Sequence, residues 1–219
     1  MKTVIVIPAH NEARNIEATL RSLRKAGYAH IVVIDDGSED ATSLTARRSA
    51  IVLHHAINRG MGAALETGTA WALAHGAECI VHFDADGQHR ADEVSRVIAP
   101  ILAHKADVVL GSRYLQPSQT PWTKKYLLHM PALALQTILT GMHLTDVHNG
   151  FRALSRRAAQ LIRIRQDRMA HASEIISEIQ HHRLRYVEVP VTIAYHEYGQ
   201  GFAAGLKIYG DLILKKILK

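Results

Sequence analysis

Two aspartates, Asp84 and Asp86, follow an apolar run in the segment CIVHFDADGQHR (79–90). Carboxylates this close together repel each other unless a cation lies between them. In an extended backbone alternate side chains project to the same side, so we expect both carboxylates to face a common point. Mg²⁺ and Mn²⁺ bind carboxylate, water and phosphate oxygens, and beside a phosphate-bearing substrate they commonly need only one or two protein carboxylates.

The pattern therefore predicts a divalent metal at Asp84 and Asp86, with Gln88 as a further oxygen ligand. Such an ion would stabilise the negative charge that develops on a departing diphosphate. The alternative is a solvated turn, because Asp and Gly are both common in turns.

The first half of the chain alternates short, β-branched apolar runs with segments of helical periodicity. This alternation predicts an α/β fold: a Rossmann-like, mainly parallel, doubly wound sheet with helices on both faces. The predicted strands cover residues 4–9, 31–35, 51–55, 79–86 and 107–113, and the predicted helices cover 12–27, 40–49, 61–75 and 91–104.

After Arg113 the alternation ends, and no linker composition or internal repeat divides the chain. One domain over residues 1–219 is therefore predicted, with an elaborated C-terminal half. Pro190 in its last apolar run indicates a strand end or a sheet edge. In this half we expect a helix over 123–140, a short strand or turn over 148–155, two further helices and a strand over 186–195.

Ligands of open parallel sheets bind outside the carboxyl ends of the strands, and polar or glycine residues follow each predicted strand of the first half. Asp35 or Asp36 could accept hydrogen bonds from a base or a ribose, and Asp40 could cap the next helix. The segment NRGMGAAL (58–65) suits phosphate oxygens that meet free backbone N–H groups at a helix start. A dinucleotide fingerprint is disfavoured, because it normally follows the first strand and Leu65 occupies the position of its last small residue.

Composition and charge limit the class of partner. The single cysteine, Cys79, excludes an intramolecular disulfide framework and favours a reducing, cytoplasmic compartment. The net charge of +6 suits an anionic partner such as a nucleotide or a phospholipid surface. Nucleic acid is not expected, because the aromatic residues, 5% of the chain, are not interleaved with the basic ones. No segment approaches the roughly 20 apolar residues that a membrane-spanning helix needs.

Six segments, taken in order, resemble family 2 glycosyltransferases of the GT-A fold, and within them the dolichyl-phosphate mannose synthase and polyprenyl-phosphate glycosyltransferase branch. Each motif is weak alone, but six in the right order are specific. The segments are VIPAHNEARNI (6–16), VVIDDGSEDAT (32–42), NRGMGAAL (58–65), FDADGQH (83–89), DVVLGSR (107–113) and TDVHNGFRALSR (145–156).

The resemblance implies a nucleotide diphosphate sugar donor, Mg²⁺ or Mn²⁺, and inversion of the anomeric configuration by direct displacement. It implies that Arg113 lies beside a phosphate and that Asp146 matches an aspartate that deprotonates an acceptor hydroxyl in many relatives. Because a phosphate acceptor is already anionic, Asp146 could instead position the sugar or the acceptor. The implied catalytic residues are Asp86, Asp146 and Arg113; the implied metal ligands are Asp84, Asp86 and Gln88; and the implied nucleotide-binding residues are Pro8, Ala9, Asn11, Glu12, Asp36, Asp84 and Ala85.

The resemblance further implies a nucleotide-sugar half (1–113) and an acceptor half (114–219), with dolichyl or undecaprenyl phosphate or a related lipid as the acceptor. Met61 replaces a lysine that is usual in mannose synthases, so the sugar is not implied. The tail GLKIYGDLILKKILK (205–219) predicts a basic amphipathic helix that either packs on its own domain or lies peripherally on the inner face of the membrane. Two alternative functions stay open: transfer to a hydroxyl of a glycan or small molecule, and a catalytically silent nucleotide-binding subunit. A homodimer also stays open.

Overall fold

The computed structural model describes residues 1–115, 141–147, 149–168 and 170–194. Their strands are β1 (Thr3–Ala9), β2 (Ile31–Asp35), β3 (Ile51–His54), β4 (Cys79–His82), β5 (Val108–Ser112), β6 (Arg152–Ser155) and β7 (Tyr186–Pro190). Their helices are α1 (Ile16–Lys25), α2 (Thr42–Ala46), α3 (Met61–Ala74), α4 (Val94–Leu102, preceded by a short 3₁₀ turn), α5 (Arg156–Leu161) and α6 (His171–His181).

The strands form one seven-stranded sheet in the order β3–β2–β1–β4–β6–β5–β7. Strands β3, β2, β1 and β4 are parallel to one another, and β7 is parallel to β5. The exception is β6, which runs antiparallel between β4 and β5. The predicted α/β fold with a mainly parallel sheet is confirmed. The helix expected over 123–140 and the tail over 205–219 lie outside the described residues.

Each face of the sheet carries its own hydrophobic core, because side chains alternate along the strands. In β1, Val4 and Val6 face one core, while Ile5 and Ile7 face the other, and all four are fully buried. Burial of each such side chain contributes roughly 1.5–3 kcal/mol. Helices α3, α5 and α6 cover the first core, and α1 and α4 cover the second.

Helix α3 lies very close to the sheet at Gly68. A Cβ atom at this position would lie 2.3 Å from Val6 Cγ1 and 2.6 Å from Ile34 Cδ1, so a larger residue would force the helix away from β1 and β2. The close approach fixes the start of α3 relative to the carboxyl ends of these strands.

The reversed strand β6 decides what lies beside the carboxyl ends of β4 and β5. Its first residue, Arg152, pairs with His82 of β4 and with Leu110 of β5. Because β6 begins at the edge where its neighbours end, residues 149–151, which lead into it, lie at that same edge.

The observed ends of β4 and β7 can be compared with the ends that the sequence predicted. Strand β4 ends at His82, so the expectation that it extends to Asp86 is wrong, and Asp84 begins a turn. Strand β7 lies at the sheet edge and ends at Pro190, as that proline indicated, so the expectation that the strand continues beyond Pro190 towards residue 195 is wrong. Cys79 is fully buried in β4, and burial raises the pKa of its thiol to about 12, which fits an inert core residue. Among the described residues, no helix has the length and apolar character needed to cross a membrane.

Candidate active site

The carboxylate of Asp84 has two close neighbours, His89 and Gly150. Its Oδ2 atom lies 2.9 Å from Nε2 of His89. The backbone of Gly150 also lies close to this carboxylate, because an added Cβ atom would be 2.6 Å from Oδ2 and 2.8 Å from Oδ1. Burial by itself would raise the pKa of Asp84, but His89, Arg152 and His171 lower it below the ordinary value of a carboxyl group. Asp84 is therefore an anion at neutral pH.

Asp86 lies in the same turn but not in the extended backbone that the sequence suggested. Its Oδ1 atom accepts a hydrogen bond of 2.9 Å from the backbone N–H of Gln88, which closes an Asx turn around Gly87 at φ 75°. The carbonyl oxygen of Gln88 accepts a hydrogen bond of 3.0 Å from the N–H of Ala194. The conformation of Asp86, Gly87 and Gln88 is therefore stabilised by this local hydrogen bond, without continued strand pairing.

Glu12, which precedes α1, adds a third carboxyl group to this region. Burial raises its pKa above the ordinary value, and the negative charges of Asp86, Asp40 and Asp84 raise it further, against a hydrogen bond from Asn15 that lowers it. The carboxyl groups thus interact electrostatically across the end of the sheet, and a cation would relieve their repulsion. In the part of the chain that the structure describes, no three His, Cys, Asp or Glu side chains form a group that could hold a metal ion by themselves.

Asp36 is engaged by the loop that follows β3. Its Oδ1 atom lies 2.7 Å from Nδ1 of His55 and 3.0 Å from the N–H of Arg59, and its Oδ2 atom accepts a hydrogen bond of 2.6 Å from the N–H of Gly60. The residue is only 3% exposed. Asp36 therefore shapes this loop, and its predicted contact with a base or a ribose stays a prediction.

The glycine-rich segment 58–65 does not offer the free N–H groups that the sequence suggested for phosphate. The N–H groups of Arg59 and Gly60 bind Asp36, while those of Gly62 and Ala63 lie 2.8 Å and 3.3 Å from the carbonyl oxygen of Asp167. The glycines serve close packing, because a Cβ atom at Gly60 would lie 2.5 Å from that same oxygen. For these four groups the expectation is wrong, because Asp36 binds two of them and the carbonyl oxygen of Asp167, about a hundred residues further along the chain, binds the other two.

The other predicted nucleotide-binding residues lie at the carboxyl ends of β1 and β4. The carbonyl oxygen of Ala9, which follows Pro8 in β1, accepts a hydrogen bond of 2.8 Å from the N–H of Asp36. Asn11, at φ 56°, accepts a hydrogen bond of 2.9 Å from the N–H of Glu39. The carbonyl oxygen of Ala85 accepts a hydrogen bond of 3.1 Å from Thr19 Oγ1 of α1. These residues share one edge of the sheet, and their contact with a nucleotide stays a prediction.

Arg113 and Asp146 form a bidentate ion pair at the end of β5. Nε and Nη2 of Arg113 donate hydrogen bonds of 2.7 Å to the two carboxylate oxygens of Asp146. The side chain of Asp146 is completely buried, and that of Arg113 is 15% exposed. The sequence named both residues but not their pairing, which depends on the reversal of β6.

Glu188 of β7, which sequence reasoning missed, holds the turn that carries Asp146. Its carboxylate accepts hydrogen bonds from the N–H groups of Thr145, at 2.9 Å, and Asp146, at 3.1 Å, and from Thr145 Oγ1 at 3.0 Å. Burial and the charge of Asp146 raise the pKa of Glu188, against the hydrogen bonds that lower it. The only sequence signal was a lone acidic residue within the apolar run YVEVPV.

A buried basic layer, also missed from the sequence, lies near Asp84. Burial lowers the pKa of Arg152 to about 10, although Asp84 and Asp146 act in the opposite sense. Burial, with the charge of Arg152, also lowers the pKa of His82 to about 3 and that of His171 to about 4. The arginine remains a cation at neutral pH, and both imidazoles are neutral. These three side chains thus supply one positive charge, on Arg152, that interacts with both Asp84 and Asp146.

The mainly parallel sheet, with the acidic turn at its carboxyl edge, has the GT-A fold of glycosyltransferases. The chain belongs to glycosyl transferase family 2, which matches residues 4–162, and the predicted resemblance is confirmed. It is 31% identical to the UDP-N-acetylglucosamine–dolichyl-phosphate N-acetylglucosaminyltransferase of Methanococcus voltae, over 98% of this chain and 96% of the relative. It is 30% identical to the undecaprenyl-phosphate mannosyltransferase of Micrococcus luteus, over 98% and 92% respectively.

Solved structures show the same fold. The glucosyl-3-phosphoglycerate synthase of Mycobacterium tuberculosis, in complex with Mn²⁺ and UDP-glucose, aligns with a TM-score of 0.73 at 20% identity. The alignment covers 93% of this chain and 73% of the synthase chain. At this identity the similarity concerns the fold.

Proposed function

We propose that the protein transfers a sugar from a nucleotide diphosphate sugar to a polyprenyl phosphate, with Mg²⁺ or Mn²⁺ bound at Asp84 and Asp86. The observation that carries the proposal is the acidic turn after β4, in which Asp84 is confined by Gly150 while Asp86 and Glu12 add negative charge nearby. The relatives named above support the acceptor class, since both act on polyprenyl-type phosphates by name.

The residues present fit a divalent cation that is shared with the substrate. Hard cations prefer carboxylate oxygens, and a metal that also binds phosphate oxygens needs only one or two from the protein. Asp84 and Asp86 would supply these, with Gln88 as the further candidate. When bound, the ion supplies positive charge that stabilises a departing diphosphate.

The Arg113–Asp146 pair supports a phosphate acceptor over a hydroxyl acceptor. Asp146 is completely buried and binds Arg113 through both oxygens, so its carboxylate is poorly disposed to remove a proton from a hydroxyl. We propose that Asp146 orients the guanidinium of Arg113, whose planar N–H groups suit phosphate oxygens. An acceptor that is already anionic needs no base.

A polyprenyl phosphate is a membrane lipid, so the proposed reaction takes place at a membrane surface with the protein peripherally bound. The tail over 205–219, which the sequence predicts to be a basic amphipathic helix, lies outside the described residues. Its contact with the membrane, and the division into a nucleotide-sugar half and an acceptor half, stay predictions.

The test is transfer of radiolabelled sugar to undecaprenyl and dolichyl phosphate in detergent, from UDP-N-acetylglucosamine and GDP-mannose, with Mn²⁺, with Mg²⁺ or with excess chelator. Asp84→Asn and Asp86→Asn should each reduce turnover at least about 100-fold, since metal stabilisation is worth several kcal/mol and each 1.4 kcal/mol is tenfold in rate. The matched control is Asp92→Asn, because Asp92 is a nearby aspartate that is exposed and pairs with Arg90. Full turnover in chelator, or in both turn variants, would refute the metal role.

The acceptor class is tested separately by offering an alkyl glycoside in place of the lipid phosphate. We expect transfer to the phosphate only, and we expect Asp146→Asn and Arg113→Lys to raise the KM for the phosphate acceptor to a similar extent. Efficient transfer to the glycoside that Asp146→Asn alone abolishes would instead assign Asp146 as a base.

A further inference from the structure

His89 contacts the candidate metal ligand directly, although it is not one of the acidic residues. Its Nε2 atom lies 2.9 Å from Asp84 Oδ2. An ionised carboxylate can only accept a hydrogen bond, so Nε2 must carry the hydrogen. The other ring nitrogen, Nδ1, is buried and has no hydrogen-bond partner among the described residues, so the polar contact of this imidazole with Asp84 runs through Nε2.

The imidazole of His89 is fixed in place by its surroundings. The side chain is 3% exposed, and its ring packs against Phe83 and Phe151 with centroid distances of 5.5 Å and 5.0 Å. The backbone of His89 forms an isolated antiparallel bridge with Ile193. A ring held by two aromatic neighbours and by its own backbone cannot turn away without repacking this region.

The carboxylate of Asp84 therefore has two close neighbours. The imidazole of His89 lies 2.9 Å from Oδ2, and the backbone of Gly150 lies so close that an added Cβ atom would be 2.6 Å from the same oxygen. These two contacts restrict the positions that the carboxylate can adopt.

We propose that His89 is a positioning residue for the divalent cation: its Nε2–H group holds Oδ2 of Asp84 and thereby orients the carboxylate to bind the ion. The inference rests on the metal site of the proposed function. Hydrogen-bond partners of metal ligands orient those ligands, and their loss typically weakens metal binding or activity about 10–100-fold.

The competing role for His89 is packing of its ring between Phe83 and Phe151. Two substitutions separate the roles, because each keeps one property and removes the other. His89→Gln loses the ring but places an amide N–H group where the imidazole Nε2 lies. His89→Phe keeps a ring but has no donor, and His89→Leu, which is smaller, serves where phenylalanine is too large to fold.

The experiment measures Mn²⁺ binding rather than turnover. Mn²⁺ is titrated into each protein with UDP and, in a parallel arm, with GDP, and the free ion is followed by its electron paramagnetic resonance signal. Thermal melting without metal verifies that each variant is folded. We expect His89→Gln to bind Mn²⁺ nearly as the wild type does, and His89→Phe or His89→Leu to bind it about 10–100-fold more weakly.

The outcomes separate this inference from the proposed function. Equal Mn²⁺ affinity in wild type, His89→Phe and His89→Leu would overturn the positioning role and leave the metal site intact. Loss of affinity in His89→Gln but not in His89→Phe would also overturn it, in favour of ring packing. Wild-type protein that binds no Mn²⁺ with either nucleotide would overturn the metal site itself.

Discussion

Replacement of Gly150 by alanine should impair catalysis far more than stability. The added Cβ atom would lie 2.6 Å from Asp84 Oδ2, about 0.8 Å short of the 3.4 Å at which ordinary contact begins. The φ angle of Gly150 lies outside the left-handed region, so alanine causes no backbone strain there. The atoms that must move are therefore those of the Asp84 carboxylate, whose Oδ2 atom also contacts His89. A displacement of about 1 Å in a catalytic group can cost about 100-fold in rate.

The test compares the activity and the stability of two glycine variants. We expect Gly150→Ala to lower kcat/KM for sugar transfer about 100-fold, with a change in unfolding free energy of about 1 kcal/mol or less, because the clash falls on the end of one side chain. The matched control is Gly76→Ala, where a Cβ atom would meet nothing within 4 Å but φ is 78°. Left-handed backbone costs a non-glycine residue roughly 1–2 kcal/mol, so the control should lose stability and keep its activity.

Kinetics of sugar transfer and urea unfolding of the same preparations give the two measurements. If Gly150→Ala retains wild-type kcat/KM, the carboxylate of Asp84 is not confined as described or is not needed. If Gly150→Ala instead unfolds at lower urea than Gly76→Ala, the clash falls on the fold and not on the site.

Three further predictions concern groups around the site. The unfolding free energy should fall as pH decreases from 6.5 towards 4, because His82 and His171, with pKa values of about 3 and about 4, stay neutral in the native protein while the unfolded chain takes up protons. Urea unfolding across this range should show a slope that approaches about 1.4 kcal/mol per pH unit for each histidine. Asp36→Asn should cost about 1–3 kcal/mol in the same assay, because an amide cannot accept all the hydrogen bonds of the carboxylate. Hydrogen bonds and charge from Arg185 lower the pKa of Asp107 below 3.8, so Asp107→Asn should destabilise the protein at neutral pH. The difference in unfolding free energy between this variant and wild type should become smaller as the pH falls below 3.8.

Each of these predictions has an outcome that contradicts it. A stability profile that is flat between pH 6.5 and 4 would mean that the two histidines are not buried as neutral groups. An Asp36→Asn variant as stable as wild type would show that the loop after β3 does not depend on that carboxylate. A deficit of Asp107→Asn that persists unchanged below pH 3.8 would assign its effect to packing instead of charge.

Much of the fold could be predicted from the sequence because its signals are local. The β-branched apolar runs define β1, β2 and β5 to within about two residues, and Pro190 marks the end of β7. The run CIVHFDAD was overextended by four residues, because apolar and turn residues meet there without a break and only the backbone geometry shows that pairing stops at His82.

The candidate site could be predicted only in part, because its partners come from distant parts of the chain. Asp84 and Asp86 stand out by their spacing, but His89 gave no signal of its own as the partner of Asp84. Nor does any local pattern show that Asp36 and the carbonyl oxygen of Asp167 use the N–H groups of the glycine-rich segment. The sequence of the glycine-rich segment is compatible both with binding phosphate and with packing against another loop.

The sequence by itself determined which residues end the parallel strands, and hence where the carboxylates collect, since strand periodicity and turn chemistry act over a few neighbouring residues. Only the tertiary structure decided which side chains face them. The insertion of antiparallel β6 between β4 and β5 brings Gly150 against Asp84 and Asp146 against Arg113. Strand order depends on how the side chains of all the strands are buried together on each face of the sheet, and no short segment of sequence contains that information.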